Sequence, residues 1–311
     1  MAIRRRRMYV KRKPDTDSGS GTAGASHAKR RKNIMEKTRR IGTLLRCADI
    51  TEERIARYRG FGLDAIQIAG VYETWLAPGE TARRASDDLF ALLRKYDIAV
   101  PSLFLSYPDQ DWAHPREGIG LVPESTRAAR MALSCRQMNW AKRYGIPVIV
   151  CHAGFVPEGP EAFCDRLIGD LKQLARFAAA NGQEFLFETG TESAALLKRT
   201  IAGIDEPNVG VNFDPANLLI YGIDTPAAMV ETLAERIRGI HCKDALPALP
   251  GAARGRETVL GQGATEFAET FRRLLAGGFS GPIVIERELK LGPEQEKDIA
   301  EAVKFIRALL D

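Results

Sequence analysis

The chain has 311 residues, 45% hydrophobic and 27% charged, with a net charge of +5. This is an ordinary composition for a globular protein with a sizeable core, and no run approaches the ~18 apolar residues that span a bilayer, which excludes a transmembrane helix. The charge is uneven: residues 1–40 hold 14 Lys and Arg against 3 Asp and Glu, and taking their +11 from the total leaves residues 41–311 at −6. A nucleic-acid argument would therefore rest on the leader alone.

The leader, residues 1–40, places two basic clusters around a Ser/Gly/Thr-rich centre and is expected to be disordered. No apolar stretch follows the arginine run after Ile3, so it does not read as an export signal, and a solvated tail is preferred to a nuclear address. The five cysteines, Cys47, Cys135, Cys151, Cys164 and Cys242, are scattered and free of CxxC spacing. That pattern predicts reduced thiols in a cytoplasmic protein.

From residue 41 onward, strand-like and helix-like segments alternate. The first strand is expected at 41–45, with Thr51 capping the helix that follows, and the second at 62–70. A loop with Trp75 leads to a helix over 80–95. The third strand, 98–107, is followed by a long loop to Pro123 that holds Trp112 and His114, and Ser125 is expected to cap the next helix, which reaches Arg143. The fourth strand covers 146–155. Pro160 and Glu161 then open a helix to Ala180, which Asn181 and Gly182 stop. Strands five, six and seven are EFLFE (184–188), NVGVNFD (208–214) and RGIHCKD (238–244), separated by helices near 192–202 and 225–235. PIVIERE (282–288) is the eighth, and a helix over 293–310 closes the chain.

Strict alternation calls for a parallel sheet. Eight such units, with no GxGxxG after the first strand, predict the α/β class and a closed (β/α)8 TIM barrel over residues 41–311. In a barrel, the loops at the strand C-termini build the active site and side chains alternate inward and outward. With Glu188 inward, Phe187 points to the helices. The same parity turns Asp214 inward beside outward Phe213, places His241 and Lys243 on one side of strand seven, and Glu286 and Glu288 on one side of strand eight. Glu188, Asp214, His241 and Glu286 thus reach one rim, where carboxylates and an imidazole can converge on one divalent cation. Taken singly, each is as readily a salt-bridge partner or helix cap as a ligand.

These motifs, FETG at Glu188, GVNFDPANL around Asp214, IHCKD around His241, GQGATEF over 261–267 and VIERE around Glu286, resemble the sugar phosphate isomerases and epimerases of the xylose isomerase-like barrel superfamily. The resemblance implies one divalent metal held by Glu188, Asp214, His241 and Glu286. Manganese is the usual ion, with magnesium, cobalt and zinc as alternatives. It further implies that Glu188 and Glu286 form the acid/base pair for a small sugar or sugar phosphate. Moving a proton beside a carbonyl creates an enediolate, whose charge a Lewis acid stabilises. Two carboxylates within reach of the substrate then remove and return the proton. His152, at inward parity on strand four, is expected to touch substrate. Lys243 is a candidate to steady the enediolate or a phosphate, or else to pair with Asp214, and Arg254 and Arg256 are candidates to hold an anionic group. Gln67, Trp112 and His114 are candidates for the pocket wall. Two positions depart from the pattern: Asn217 stands where ketose 3-epimerases commonly carry histidine, and Gln67 where many relatives have glutamate.

The same parts suit an alternative reaction, loss of water from a keto-cyclitol or a dehydroshikimate-like acid. An abasic-site endonuclease needs a three-zinc, histidine-rich site, and only His114, His152 and His241 lie beyond the leader. A non-catalytic binding barrel has no need of both glutamates. The expected partner is therefore a small molecule, with neither a membrane nor nucleic acid engaged by the barrel and with self-association left open.

Overall fold

The computed structural model describes residues 39–158 and 161–311, with the backbone alone at 161–163. Within it, eight parallel strands close into a barrel. In chain order these are β1 (Ile41–Arg46), β2 (Ala65–Ala69), β3 (Ala99–Phe104), β4 (Val148–Cys151), β5 (Glu184–Glu188), β6 (Val209–Phe213), β7 (Ile237–Cys242) and, after a hairpin formed by β8 (Asp244–Leu246) and β9 (Arg256–Thr258), β10 (Ile283–Ile285). β10 pairs with both β7 and β1, which closes the ring. The helices are α1 (Glu52–Gly60), α2 (Glu73–Leu76), α3 (Glu80–Lys95), α4 (Pro115–Gly118), α5 (Glu124–Arg143), α6 (Glu161–Ala180), α7 (Ala194–Ile204), α8 (Pro215–Tyr221), α9 (Pro226–Leu233), α10 (Phe267–Ala276) and α11 (Pro293–Leu310). This is the α/β TIM barrel that the alternation predicts. No helix among the described residues is long and apolar enough to cross a membrane.

The core has two compartments because strand side chains alternate. Phe185, Phe187, Val211 and Phe213 point outward into the large cluster shared with the helices, while Val148, Val150 and Leu186 form a small interior plug with Phe104 packed against it. Above that plug the inward positions turn polar: Gln67, Ser102, Asn212, Asp214 and His241 are all buried. A closed apolar floor beneath a polar layer is what places the chemistry at the strand C-termini.

Several boundaries differ from the sequence reading. Thr51 caps α1, its hydroxyl accepting from the Arg54 amide. Ser125 does not cap α5: the helix starts one residue earlier, with Pro123 before it and no side-chain cap, so Ser125 lies inside the first turn. The helix expected near 192–202 begins instead at Ala194, capped by Ser193, which frees Thr191 and Glu192 for the loop. The eighth strand spans three residues only, and beyond it the Glu288 amide turns to the Glu257 carboxylate of the hairpin. The hairpin itself was not foreseen. The leader lies outside the described residues except for Arg39 and Arg40. Arg40 is fixed to the barrel, donating to the carbonyls of Asp64 and Asp97 and to the Asp97 carboxylate.

Candidate metal centre

Four strand ends deliver four ligand groups. Glu188 is the last residue of β5 and pairs with Asn212 of β6, so Asp214, two residues on, returns to the same side. His241 lies in β7 opposite Val284 of β10, and Glu286 follows two residues later. One ligand atom from each of Glu188, Asp214, His241 and Glu286 lies within 4.8 Å of the others.

His241 Nδ1 stands 2.7 Å from a Glu188 oxygen, 2.8 Å from Glu286 Oε2 and 3.7 Å from Asp214 Oδ2. These approaches cannot all be hydrogen bonds, since one ring nitrogen carries at most one proton and cannot serve three oxygens. Glu188 Oε1, Asp214 Oδ2, His241 Nδ1 and Glu286 Oε2 are in fact buried without a hydrogen-bond partner. Four orphaned ligand atoms aimed at one another are costly unless a cation lies between them. Three carboxylates and an imidazole suit a hard or borderline divalent ion. With the buried Lys243 ammonium counted against the three carboxylates, two negative charges remain for such an ion to neutralise.

The electrostatics of the bare site follow from that crowding. Burial and the charge of Glu286 push the Glu188 carboxyl up to about 7. Burial also works to raise Asp214 and Glu286, but Lys243 and His241 outweigh it and hold both below the usual carboxylate range. His241 is driven well above its ordinary value, burial being outweighed by the carboxylates around it.

The ligands are held from behind. His241 Nε2 lies 2.9 Å from Gln67 Oε1, and the Gln67 amide donates to Ser102 Oγ at 2.9 Å. An amide oxygen only accepts, so the imidazole proton sits on Nε2 and leaves Nδ1 for the metal. Gln67 is fully buried and lies behind His241, not on the pocket wall. Asp214 Oδ1 caps α8 by accepting from the amides of Ala216 and Asn217, which leaves Oδ2 free. The Thr189 hydroxyl donates to the Asp214 carbonyl and accepts from the Asp214 amide, stapling β5 to β6. Gly190 has φ +148°, and a Cβ there would come within 2.5 Å of Asn217 Cβ, which explains the glycine of FETG.

Lys243 is fully buried, its ammonium 2.8 Å from Glu288, 3.2 Å from Asn217 Oδ1, 3.6 Å from Glu286 and 3.7 Å from Asp214. Burial would lower it, but Glu286 and Asp214 hold it well above its ordinary value, so it stays charged. His152 is buried at the end of β4; burial pushes it down to about 4, and its Nε2 has no partner. Trp112 lies edge-on to His152, ring centres 6.2 Å apart. His114 does not join the site: its exposed ring is paired to Asp111 at 2.8 Å. Arg254 stacks over the Tyr221 ring at 5.1 Å, Tyr221 packs edge-on against Phe155, and Arg116 covers Phe155 at 4.7 Å. All four come from the segments that follow strand C-termini, Arg116 from α4, Tyr221 from the end of α8 and Phe155 and Arg254 from loops, and they form a rim. Arg256 is exposed on β9, and among the described residues no hydrogen bond or ion pair ties it to the centre.

Sequence reasoning missed Thr189, Thr191, Glu192, Tyr221 and the role of Asp244. The Asp244 carboxylate accepts from the amides of Ala245, Gly261, Gly263 and Thr265 and from the Thr265 hydroxyl, so GQGATEF is a loop gathered around one acid. A Gly/Thr-rich run downstream of an Asp at a strand end was its available signal.

Comparison with known proteins bears on the barrel that carries these residues. A sequence profile of the xylose isomerase-like TIM barrel matches residues 55–309. The chain belongs to that family. A xylose isomerase domain protein from Planctomyces limnophilus is 30% identical, with a TM-score of 0.78 over 87% of this chain and 96% of its own. A D-psicose 3-epimerase shares the barrel at 15% identity and a TM-score of 0.65, covering 87% of this chain and 99% of that one. Among curated sequences, an inosose dehydratase of Clostridium botulinum is 25% identical over 155 residues, 45% of this chain and 50% of the relative. This xylose isomerase-like chain therefore spans about half the length of such curated relatives.

Proposed function

We propose that the protein is a divalent-metal-dependent isomerase or epimerase that moves a proton at the carbon beside the carbonyl of a small sugar or sugar phosphate. The observation that carries this reading is the set of four buried, partnerless ligand atoms, two of them from glutamates on strands at opposite ends of the ligand arc. When bound, the cation, for which manganese is our choice, supplies Lewis-acid polarisation of the substrate carbonyl. Glu188 and Glu286 act as the proton-accepting and proton-returning carboxylates, and their unlike environments suit unlike roles. Lys243 donates to the oxygen that gains charge, Asn217 orients Lys243, and His152 donates to a substrate hydroxyl or carbonyl. Gln67 acts through His241 as a positioning residue. Arg254 on the rim favours a substrate with an anionic end.

A second reading, elimination of water from a keto-cyclitol, starts from the same proton abstraction and is favoured by the curated relatives named inosose dehydratase. The test is a screen of ketoses, ketose phosphates and inososes with added manganese in heavy water. Solvent deuterium at the carbon beside the carbonyl with no loss of water supports the first reading. An enone product supports the second. No exchange from any class, with wild type and Glu188→Gln indistinguishable, would overturn both.

A further inference from the structure

One buried acid near the centre has no part in the proposed reaction. Glu192, in the loop between β5 and α7, is 2% exposed. Thr191 Oγ1 lies 2.6 Å from Glu192 Oε2 and 2.8 Å from the carbonyl oxygen of Gly154 in the loop after β4. A hydroxyl has one proton, and a carbonyl can only accept. If that proton goes to Gly154, the 2.6 Å contact needs a second proton, carried by Glu192. If Glu192 is ionised, it takes the threonine proton and Gly154 loses its bond.

The same Gly154 sets the state of His152. Its amide donates to His152 Nδ1 at 3.1 Å, so the ring proton sits on Nε2, which is buried and unpartnered. The charges of Glu286, Lys243 and Glu288 all act on this ring. Gly154 has φ +98°, and a Cβ there would meet the Ile119 carbonyl at 2.7 Å, so its backbone is fixed from the other side as well.

We propose that Glu192 is held as a neutral carboxylic acid and that, through Thr191 and the backbone of Gly154, whose carbonyl and amide flank one Cα, it positions His152 as an Nε2–H donor to a substrate oxygen. Glu192 and Thr191 are positioning residues. Burial pushes the Glu192 carboxyl up to about 7 against the pull of the Thr191 hydroxyl and amide, and no cation contributes. Its titratable neighbour on β4 is the Cys151 thiol, itself raised chiefly by burial and so neutral. The substrate-facing part of this inference rests on the reaction proposed above. The placement of the protons does not, and the experiment reads that placement.

The chain has four histidines, His27, His114, His152 and His241, so nitrogen-15 NMR of the full histidine-labelled protein, with His152→Asn to assign the signal, resolves the tautomer. In wild type we expect the Nε2–H form between about 4, below which the ring takes a second proton, and about 7, and a loss of that single form above it. Glu192→Gln, neutral at every pH and able to donate to Thr191, should hold the Nε2–H form at every pH above about 4 and remove one protonated-carboxyl infrared band. Thr191→Val should yield mixed tautomers, and Thr191→Ser should restore one. The proposal fails if Glu192→Gln keeps the wild-type pH dependence, if no protonated-carboxyl band disappears, or if Thr191→Val leaves His152 unchanged. Should Thr191→Val not fold, the Glu192→Gln spectra decide alone.

Discussion

The two walls of the barrel mouth differ in kind. β5, β6, β7 and β10 carry Glu188, Asp214, His241 and Glu286, with Lys243 one residue past β7. β2, β3 and β4 face them with Gln67, Ser102 and His152, all buried and uncharged at neutral pH. The contrast shows how a buried charged cluster is made tolerable. Charge is confined to one wall, where a cation can balance it, while the neutral wall supplies hydrogen bonds that orient the imidazoles without adding to the repulsion.

The largest expected effect comes from breaking the charged wall. Glu188→Gln or Glu286→Gln should lower the rate of solvent-deuterium exchange by ~10²–10⁴-fold, the usual contribution of general acid–base groups. Metal analysis of the same variants shows how far ligation is lost with it. Between the two walls, in the loop after β5 that meets the loop after β4, Glu192 makes stability depend on pH. Its carboxyl rises from the ordinary 4.5 to about 7 in the fold, so the native state binds more protons than the unfolded chain across that window, and stability falls as pH rises through it. Glu192→Gln should remove roughly 3 kcal/mol of that fall, read as the difference between denaturant titrations at acidic and basic pH. Gln67→Leu keeps the volume but leaves His241 Nε2 without an acceptor. It should weaken metal binding by about 10–100-fold in a competition titration while the exposed surface is unchanged. Retained affinity would mean that the neutral wall does not tune the charged one. The smallest effect is expected at the rim, where Arg254→Gln removes an exposed stacking contact worth about 0.5–1 kcal/mol, measurable as a small shift in thermal midpoint.

The barrel and the convergence of its four candidate ligands were legible because both are written locally. Apolar runs punctuated by caps give the strands, and a ligand at each strand end lies within two residues of the run that places it. The neutral wall was not legible in the same way. Gln67 meets His241 across 174 positions, and Thr191 meets Gly154 across 37, so no window of sequence contains either contact. Gln67 could be singled out from sequence only as a departure from a pattern, and the structure shows it accepting from the His241 ring. The hairpin escaped notice because its order comes from Asp244 and from Glu257, whose carboxylate accepts from the Glu288 amide, and not from strand propensity.

The three-residue strand β10 has a consequence for how the centre comes into being. It joins β7 to β1, and Glu286 follows directly on it, so a chain emerging from synthesis holds three ligands long before the fourth. An ion gripped by all four is gripped only by a closed ring. Metal loading should therefore stabilise the seam between the last strand and the first by mass action, and the affinity for the ion becomes a measure of how firmly that seam stays shut.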